Sequence, residues 1–212
     1  MTPIILYQDD DVLVVNKPSG MVVNRAESVK GETVQDWVEK SYELGVKRYE
    51  FHDELILKEF ISRAGIVHRI DKETSGILLI AKNPASFIEL QRQFKEHEVK
   101  KTYLALVHGT VSEIGEINAP VGRLPWNREH FGVVPGGKES MTKFKRISLV
   151  TCHLPLVTNE KISLVEVYPE TGRTHQIRVH FKYIGHPLLG DYLYAGRKQS
   201  RDDRKEITRV ML

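Results

Sequence analysis

Hydrophobic and polar positions along the chain switch between two periods. The aliphatic run Leu13-Val14-Val15 leads into Asn16-Lys17-Pro18-Ser19-Gly20, where proline fixes φ and glycine releases it. This predicts a strand, a turn, and resumed extended chain at Met21-Val22-Val23. Over residues 33–44, Val34, Trp37, Val38 and Tyr42 recur at spacings of three and four. An amphipathic helix is expected there, capped by Thr33 and ended by Gly45. Residues 46–58 show no clear period and are expected to form an irregular, flexible insertion.

Ile66-Val67 and the run Ile77-Leu78-Leu79-Ile80-Ala81 then flank a polar stretch, so residues 67–76 read as a loop between two strands. Asn83-Pro84 has the form of an N-cap followed by proline at the first helical position. With Phe87, Leu90 and Phe94 on one face, a helix to about Glu98 follows. Residues 102–107 form a strand closed by His108-Gly109, and the glycine and proline of residues 110–137 predict loops and hairpins.

Two further strands are expected over residues 141–150 and 161–168. Pro169-Glu170-Thr171-Gly172 then turns into a helix capped by Thr174, with Ile177, Phe181 and Ile184 on its buried face. His175, Arg178 and Lys182 would share its other face, with Arg173 just before it. Strands recur before and after helices, so a mixed sheet is favoured over a doubly wound parallel one.

Composition changes this picture little. The 212 residues are 41% hydrophobic, enough for a sizeable core, and a single domain spanning residues 1–212 is expected. One cysteine, Cys152, excludes an internal disulfide and a cysteine cluster for zinc, and it is expected to be buried. The N-terminus lacks a basic region followed by an apolar core, and no apolar run nears the ~20 residues of a membrane span. A cytoplasmic protein without a membrane partner is expected. Net charge is only +3, but its distribution is uneven. Residues 172–190 hold Arg173, Arg178, Lys182 and three histidines with no acid, and residues 197–209 carry six basic residues against three acidic ones. Such patches suit phosphate contacts.

The candidate chemistry centres on His68-Arg69-Ile70-Asp71-Lys72-Glu73-Thr74-Ser75-Gly76. In isolation its residues are those that turns favour. The string nevertheless resembles the H-R-[LI]-D-x-x-T-S-G signature of the RluA family of pseudouridine synthases. Three other segments resemble that family's motifs in the same order: residues 13–20, Lys101-Thr102-Tyr103-Leu104-Ala105, and Thr171-Gly172-Arg173-Thr174-His175-Gln176-Ile177-Arg178-Val179-His180.

The resemblance implies an α+β fold on a mixed, largely antiparallel central sheet with flanking helices, and isomerisation of uridine to pseudouridine in structured ribosomal or transfer RNA. The reaction breaks the bond from N1 to C1′, turns the base and joins C5 to C1′. It is redox-neutral, so no cofactor and no metal are expected. Asp71 would be the essential carboxylate, as nucleophile, base or charge stabiliser, with Arg173 as the partner that keeps it ionised. Tyr103 would be the platform for the extruded base, and Arg69 would fill the gap that base leaves in the stack.

His68, His175, Arg178 and Lys182 are further candidates for RNA contact. His175 and His180 lie five apart, whereas a helical zinc pair lies four apart, so metal binding is disfavoured. Lys17 is expected to be solvated, with RNA contact as the alternative. A monomer is expected, and the accessory RNA-binding domain of many relatives does not fit before Leu13. A non-catalytic RNA-binding module and a hydrolase are the rival readings; the presence of both Asp71 and Tyr103 argues against the module.

Overall fold

The structure, a computed structural model, describes residues 2–41, 53–152, 160–196 and 207–212. Two compact units divide it, Met1–Val99 and Lys100–Leu212.

In the first unit, β1 (Ile4–Gln8), β2 (Val12–Lys17) and β3 (Gly76–Ala81) form an antiparallel sheet in that order. The period of two along β2 turns Leu13, Val15 and Lys17 inward, opposite buried Leu78 and Ile80 on β3. Helix α1 (Val34–Ser41) begins where expected. Asp36 N–H donates to Thr33 Oγ1 at 3.1 Å and Thr33 N–H donates back to Asp36 Oδ2 at 2.9 Å, a reciprocal cap. Thr33 Oγ1 also donates to Asp36 Oδ2 at 2.6 Å, and this bond, with that from the Thr33 amide, holds the Asp36 carboxyl below its ordinary range. The expected continuation to Leu44 and the stop at Gly45 lie outside the described residues.

Helix α3 (Pro84–Lys95) starts on the expected cap, Asn83 accepting from Ser86 N–H at 2.9 Å, and ends at Lys95. Its Phe87 meets Phe60 edge-on, with ring centroids 5.6 Å apart, beside buried Val67 and Ala81. Burying a phenylalanine or valine side chain in this way is worth about 1.5–3 kcal/mol.

Three local expectations are corrected. Part of the supposed irregular insertion is helix α2 (Glu54–Ser62), capped by Asp53. It lacks a readable stripe because Leu55 is 80% exposed and Phe60 alone is buried. Met21-Val22-Val23 joins no strand; Val22 and Val23 carbonyls instead accept from Val34 and Gln35 N–H at the start of α1. Ile66 makes a single bridge to Ile80, not a strand. Ala64 and Gly65, both left-handed, turn the chain off α2 just before it, and a Cβ on Gly65 would lie 2.1 Å from the Ala81 carbonyl oxygen.

The second unit carries a four-stranded sheet in the order β4 (Tyr103–His108), β9 (Glu160–Pro169), β8 (Met141–Cys152), β5 (Ile114–Asn118). A two-stranded hairpin, β6 (Val121–Leu124) and β7 (Asn127–Val133), and helix α4 (Gln176–Tyr183) complete it. Ala105, Val107, Phe144, Val165 and Val167 on one sheet face pack against Ile177 and Phe181 of α4, as the helical spacing predicts. Val210 and Leu212 join this core, and Leu106 N–H donates to the Met211 carbonyl at 3.1 Å on the free edge of β4.

The α+β class is borne out, and every described ladder is antiparallel. Thr174 does not cap α4. The N-cap position falls to His175, whose backbone is left-handed at φ 56° and which makes no side-chain cap bond. The Cys152 side chain and most of the basic tail, residues 197–206, lie outside the described set.

Candidate active-site segments

In the first unit the residues from Val67 to Gly76 are fixed from several sides. Val67, Ile70 and Thr74 are buried, so the chain is pinned on either side of Arg69, which is exposed, and Asp71, which is half-buried. A turn follows at once, with Thr74 N–H donating to the Asp71 carbonyl at 3.2 Å.

His68 is held within the protein. Its Nε2 accepts from Leu79 N–H at 2.9 Å, and its ring stacks on Phe94 with centroids 4.5 Å apart. That arrangement anchors the loop to β3 and α3, where RNA contact was expected.

Lys17 is neither solvated nor surface-facing. It is 0% exposed, and its ammonium donates to the carbonyls of Pro18 and Met21 at 2.8 Å and of Lys72 at 3.1 Å. A buried charge is tolerated only with such bonding. Gly20 N–H also donates to the Lys72 carbonyl, and Ser19 Oγ donates to the Glu73 carbonyl at 2.6 Å. The turn at residues 16–20 and the loop carrying Asp71 are therefore one hydrogen-bonded body.

In the second unit Tyr103 opens β4 opposite Val167 of β9, half-buried against the core. Arg173 lies on the turn that leaves β9. Its guanidinium is exposed, with Nε donating to the Glu139 carbonyl at 3.1 Å. Lys101 ties the start of β4 to the same turn, its ammonium donating to the Thr171 carbonyl at 3.4 Å. Burial pushes the Lys101 ammonium below the ordinary lysine value.

Beneath Arg173 runs a buried hydrogen-bond chain. Gln176 Oε1 accepts from Arg173 N–H at 3.0 Å and from Thr171 Oγ1 at 2.7 Å. Its Nε2 donates to the Met141 carbonyl at 3.0 Å and to Thr142 Oγ1 at 2.9 Å. Thr142 Oγ1 lies 2.8 Å from His180 Nδ1, and His180 Nε2 lies 2.9 Å from the Ala119 carbonyl. A carbonyl only accepts, so Nε2 carries the proton and Nδ1 accepts from the threonine hydroxyl. Burial depresses the His180 pKa, outweighing the opposing bond to Ala119. A metal held by His175 and His180 would require His180 to give up one of these partners.

The shared face expected for His175, Arg178 and Lys182 gathers around Tyr194. His175 Nδ1 is 2.7 Å from the Tyr194 hydroxyl, the Arg178 guanidinium lies 4.9 Å from its ring centre, and Lys182 Nζ lies 5.7 Å from it. Lys182 is exposed and His175 half-buried. Arg178 is not a surface contact: it is buried, and its Nε and Nη2 donate to the two oxygens of buried Asp191 at 2.7 and 2.8 Å. The amides of Leu193 and Tyr194 cap the same carboxylate.

Gln176, Asp191 and Tyr194 were not singled out from sequence. For Asp191 a signal existed, since it is the first acid after the basic stretch of residues 172–190. For Gln176 the partners Met141 and Thr142 lie on a separate strand, and only Thr171 and Arg173 are near it in sequence.

The sequence model of the RNA pseudouridylate synthase family matches residues 11–183. The chain is 43% identical over 197 residues to an uncharacterized RNA pseudouridine synthase, YlyB, of Bacillus subtilis, covering 92% of this chain and 58% of that protein. It is 38% identical over 208 residues to ribosomal large subunit pseudouridine synthase D of Vibrio cholerae, covering 98% of this chain and 57% of that one. The chain thus spans less than three-fifths of the length of these relatives. Human RNA pseudouridylate synthase domain containing 1 is similar in structure, with a TM-score of 0.72 at 26% identity over 99% of this chain and 75% of that chain. The motifs in residues 13–20, 67–76, 101–105 and 171–180 all lie within the matched region, and the chain belongs to the RNA pseudouridylate synthase family.

Proposed function

We propose that the protein isomerises uridine to pseudouridine in structured RNA. The observation that carries this reading is the loop after Val67. There an exposed arginine stands two residues before a half-buried carboxylate, on a backbone held by buried Val67, Ile70 and Thr74 and strapped by Lys17. Chemistry on a stacked base needs such rigidity, because the reacting carboxylate must be preplaced while the base is taken out of its stack.

Asp71 is the essential carboxylate in this proposal, and Arg69 fills the space the base vacates. Tyr103 is the base platform and Arg173 the ionic partner of the carboxylate. The motif order and the family match support these roles. Exposed Lys182 and half-buried His175 contact RNA, while His68 and Arg178 act by holding backbone and helix in place.

We further propose that the two units serve one catalytic domain, supported by a family match that runs through both. The enzyme works as a monomer, without cofactor or metal, in the cytoplasm. No described helix is long and apolar enough to cross a membrane. Several relatives are named for the large ribosomal subunit, which favours ribosomal RNA as the substrate.

The test is to map pseudouridines in ribosomal and transfer RNA from cells with and without the protein, then to incubate the purified chain with the unmodified transcript. Loss of a site in the deletion and its restoration in vitro are expected. Complete maps in both strains, with no conversion in vitro, contradict the proposal.

A further inference from the structure

The β6–β7 hairpin ends in an exposed aromatic residue. Pro125 and Trp126 link the strands, and Trp126 is 79% exposed, whereas the chain's other tryptophan, Trp37, is 9% exposed. Leaving so large a ring in water forgoes the burial of about 150–250 Å² of surface. Tight turns favour glycine, asparagine or aspartate, so turn geometry does not explain the choice.

The hairpin beneath this ring presents a basic side chain. Exposed Arg123 lays its guanidinium over Phe131, 5.0 Å from the ring centre. Gly132 lies under the Leu124 side chain, where a Cβ would meet Leu124 Cδ2 at 2.5 Å. At its base the hairpin is fixed to the surroundings of α4. Phe131 N–H donates to the Tyr194 hydroxyl at 3.3 Å, the Phe131 and His175 rings meet edge-on at 5.7 Å, and Val121 packs with Val179 and Tyr194. The base of the hairpin is thus tied to the helix that Arg173 precedes.

We propose that this hairpin is an RNA-docking finger, in which Trp126 stacks on an unpaired base of the substrate while Arg123 meets the neighbouring phosphate. A nucleobase is the occupant that fits, because an exposed flat ring at the tip and an exposed guanidinium on the same hairpin offer a stacking face and a phosphate partner. A stack of this kind is sequence-tolerant, so the finger selects single-stranded RNA near the modified uridine and does not read its identity. The inference rests on the RNA reading above but not on the isomerisation itself.

The experiment uses the full chain with a short oligouridylate, a blunt RNA duplex of equal length, and the ribosomal transcript. Trp126→Ala is expected to weaken oligouridylate binding by about 5- to 150-fold, the range for one lost base–aromatic stack. Duplex binding and the melting temperature stay unchanged. Trp126→Phe retains most of the affinity but loses the fluorescence quench that the oligouridylate causes in the wild type. On the transcript, Trp126→Ala raises KM and leaves kcat within about twofold.

Wild-type affinity in Trp126→Ala overturns the finger, as does an unquenched wild type, even where pseudouridine forms normally. Loss of affinity in Trp126→Ala, from a protein that forms no pseudouridine, supports the finger and removes the isomerase reading. Binding of a protein by the hairpin, with no effect of Trp126→Ala on RNA, assigns the ring to a protein partner and overturns the proposal.

Discussion

The side-chain amide of Gln176 accepts the backbone N–H of Arg173 at 3.0 Å, so the position of an exposed arginine is set by a buried residue three places on. All four hydrogen-bonding positions of the amide are used, two accepting and two donating. Gln176→Leu therefore leaves several groups unsatisfied, at about 1–3 kcal/mol for each one buried. A lower melting temperature is expected together with a fall in kcat larger than any rise in KM. Gln176→Glu keeps the oxygen that Arg173 needs and should recover part of kcat. Equal kcat losses in both variants, with Arg173→Lys fully active, would remove this positioning role.

The neutral state of His180 gives a pH dependence of stability. Its folded pKa is depressed below the ordinary 6.5 by burial, so between the folded and unfolded values the unfolded chain binds more protons. The His180 contribution is complete above 6.5 and is lost as pH falls from there toward the folded value. Protonation would also force Nδ1 to donate toward Thr142 Oγ1, reversing the bond found there. The melting temperature should drop on acidification below about 6.5, and His180→Gln should flatten that slope. An unchanged slope in the variant contradicts the assignment.

Arg178 and Lys182 are both basic residues of α4, yet their substitution should have opposite readouts. Arg178→Ala strands buried Asp191 and should cost about 3–5 kcal/mol of stability. The salt dependence of RNA binding should stay as it was. Lys182→Ala removes an exposed charge, so stability should hold while the slope of log affinity against log salt falls by roughly one phosphate contact. Melting curves and binding isotherms over a several-fold salt range separate the two.

What was legible in the sequence was local. Thr33 and Asn83 cap as read, because a cap is decided by a side chain and backbone a few residues away. The buried face of α4 followed from the spacing of Ile177 and Phe181. Helix α2 was hidden because Phe60 alone of its apolar residues is buried, with Leu55 and Ile61 exposed and Ile56 and Leu57 half-buried, so no stripe marks it.

The candidate site divided along the same line. Asp71 and Arg69 could be named from their motif; Arg69 is exposed and Asp71 half-buried. Lys17, His68 and Arg178 were read as solvent- or RNA-facing because they are polar, but each bonds a partner farther along the chain, Lys72, Leu79 and Asp191, and Lys17 adds the nearby Pro18 and Met21 carbonyls. No local pattern announces such a partner.

That Asp71 carries the chemistry is tested by Asp71→Asn, which keeps size and turn-forming ability while removing the charge. The measurement is tritium release from RNA labelled at C5 of uridine, with a binding isotherm and a melting curve on the same preparation. Release should fall by about three orders of magnitude or more while RNA affinity and melting temperature stay near wild type. Substantial release by a well-folded Asp71→Asn protein, with deamidation to aspartate excluded, would contradict the account.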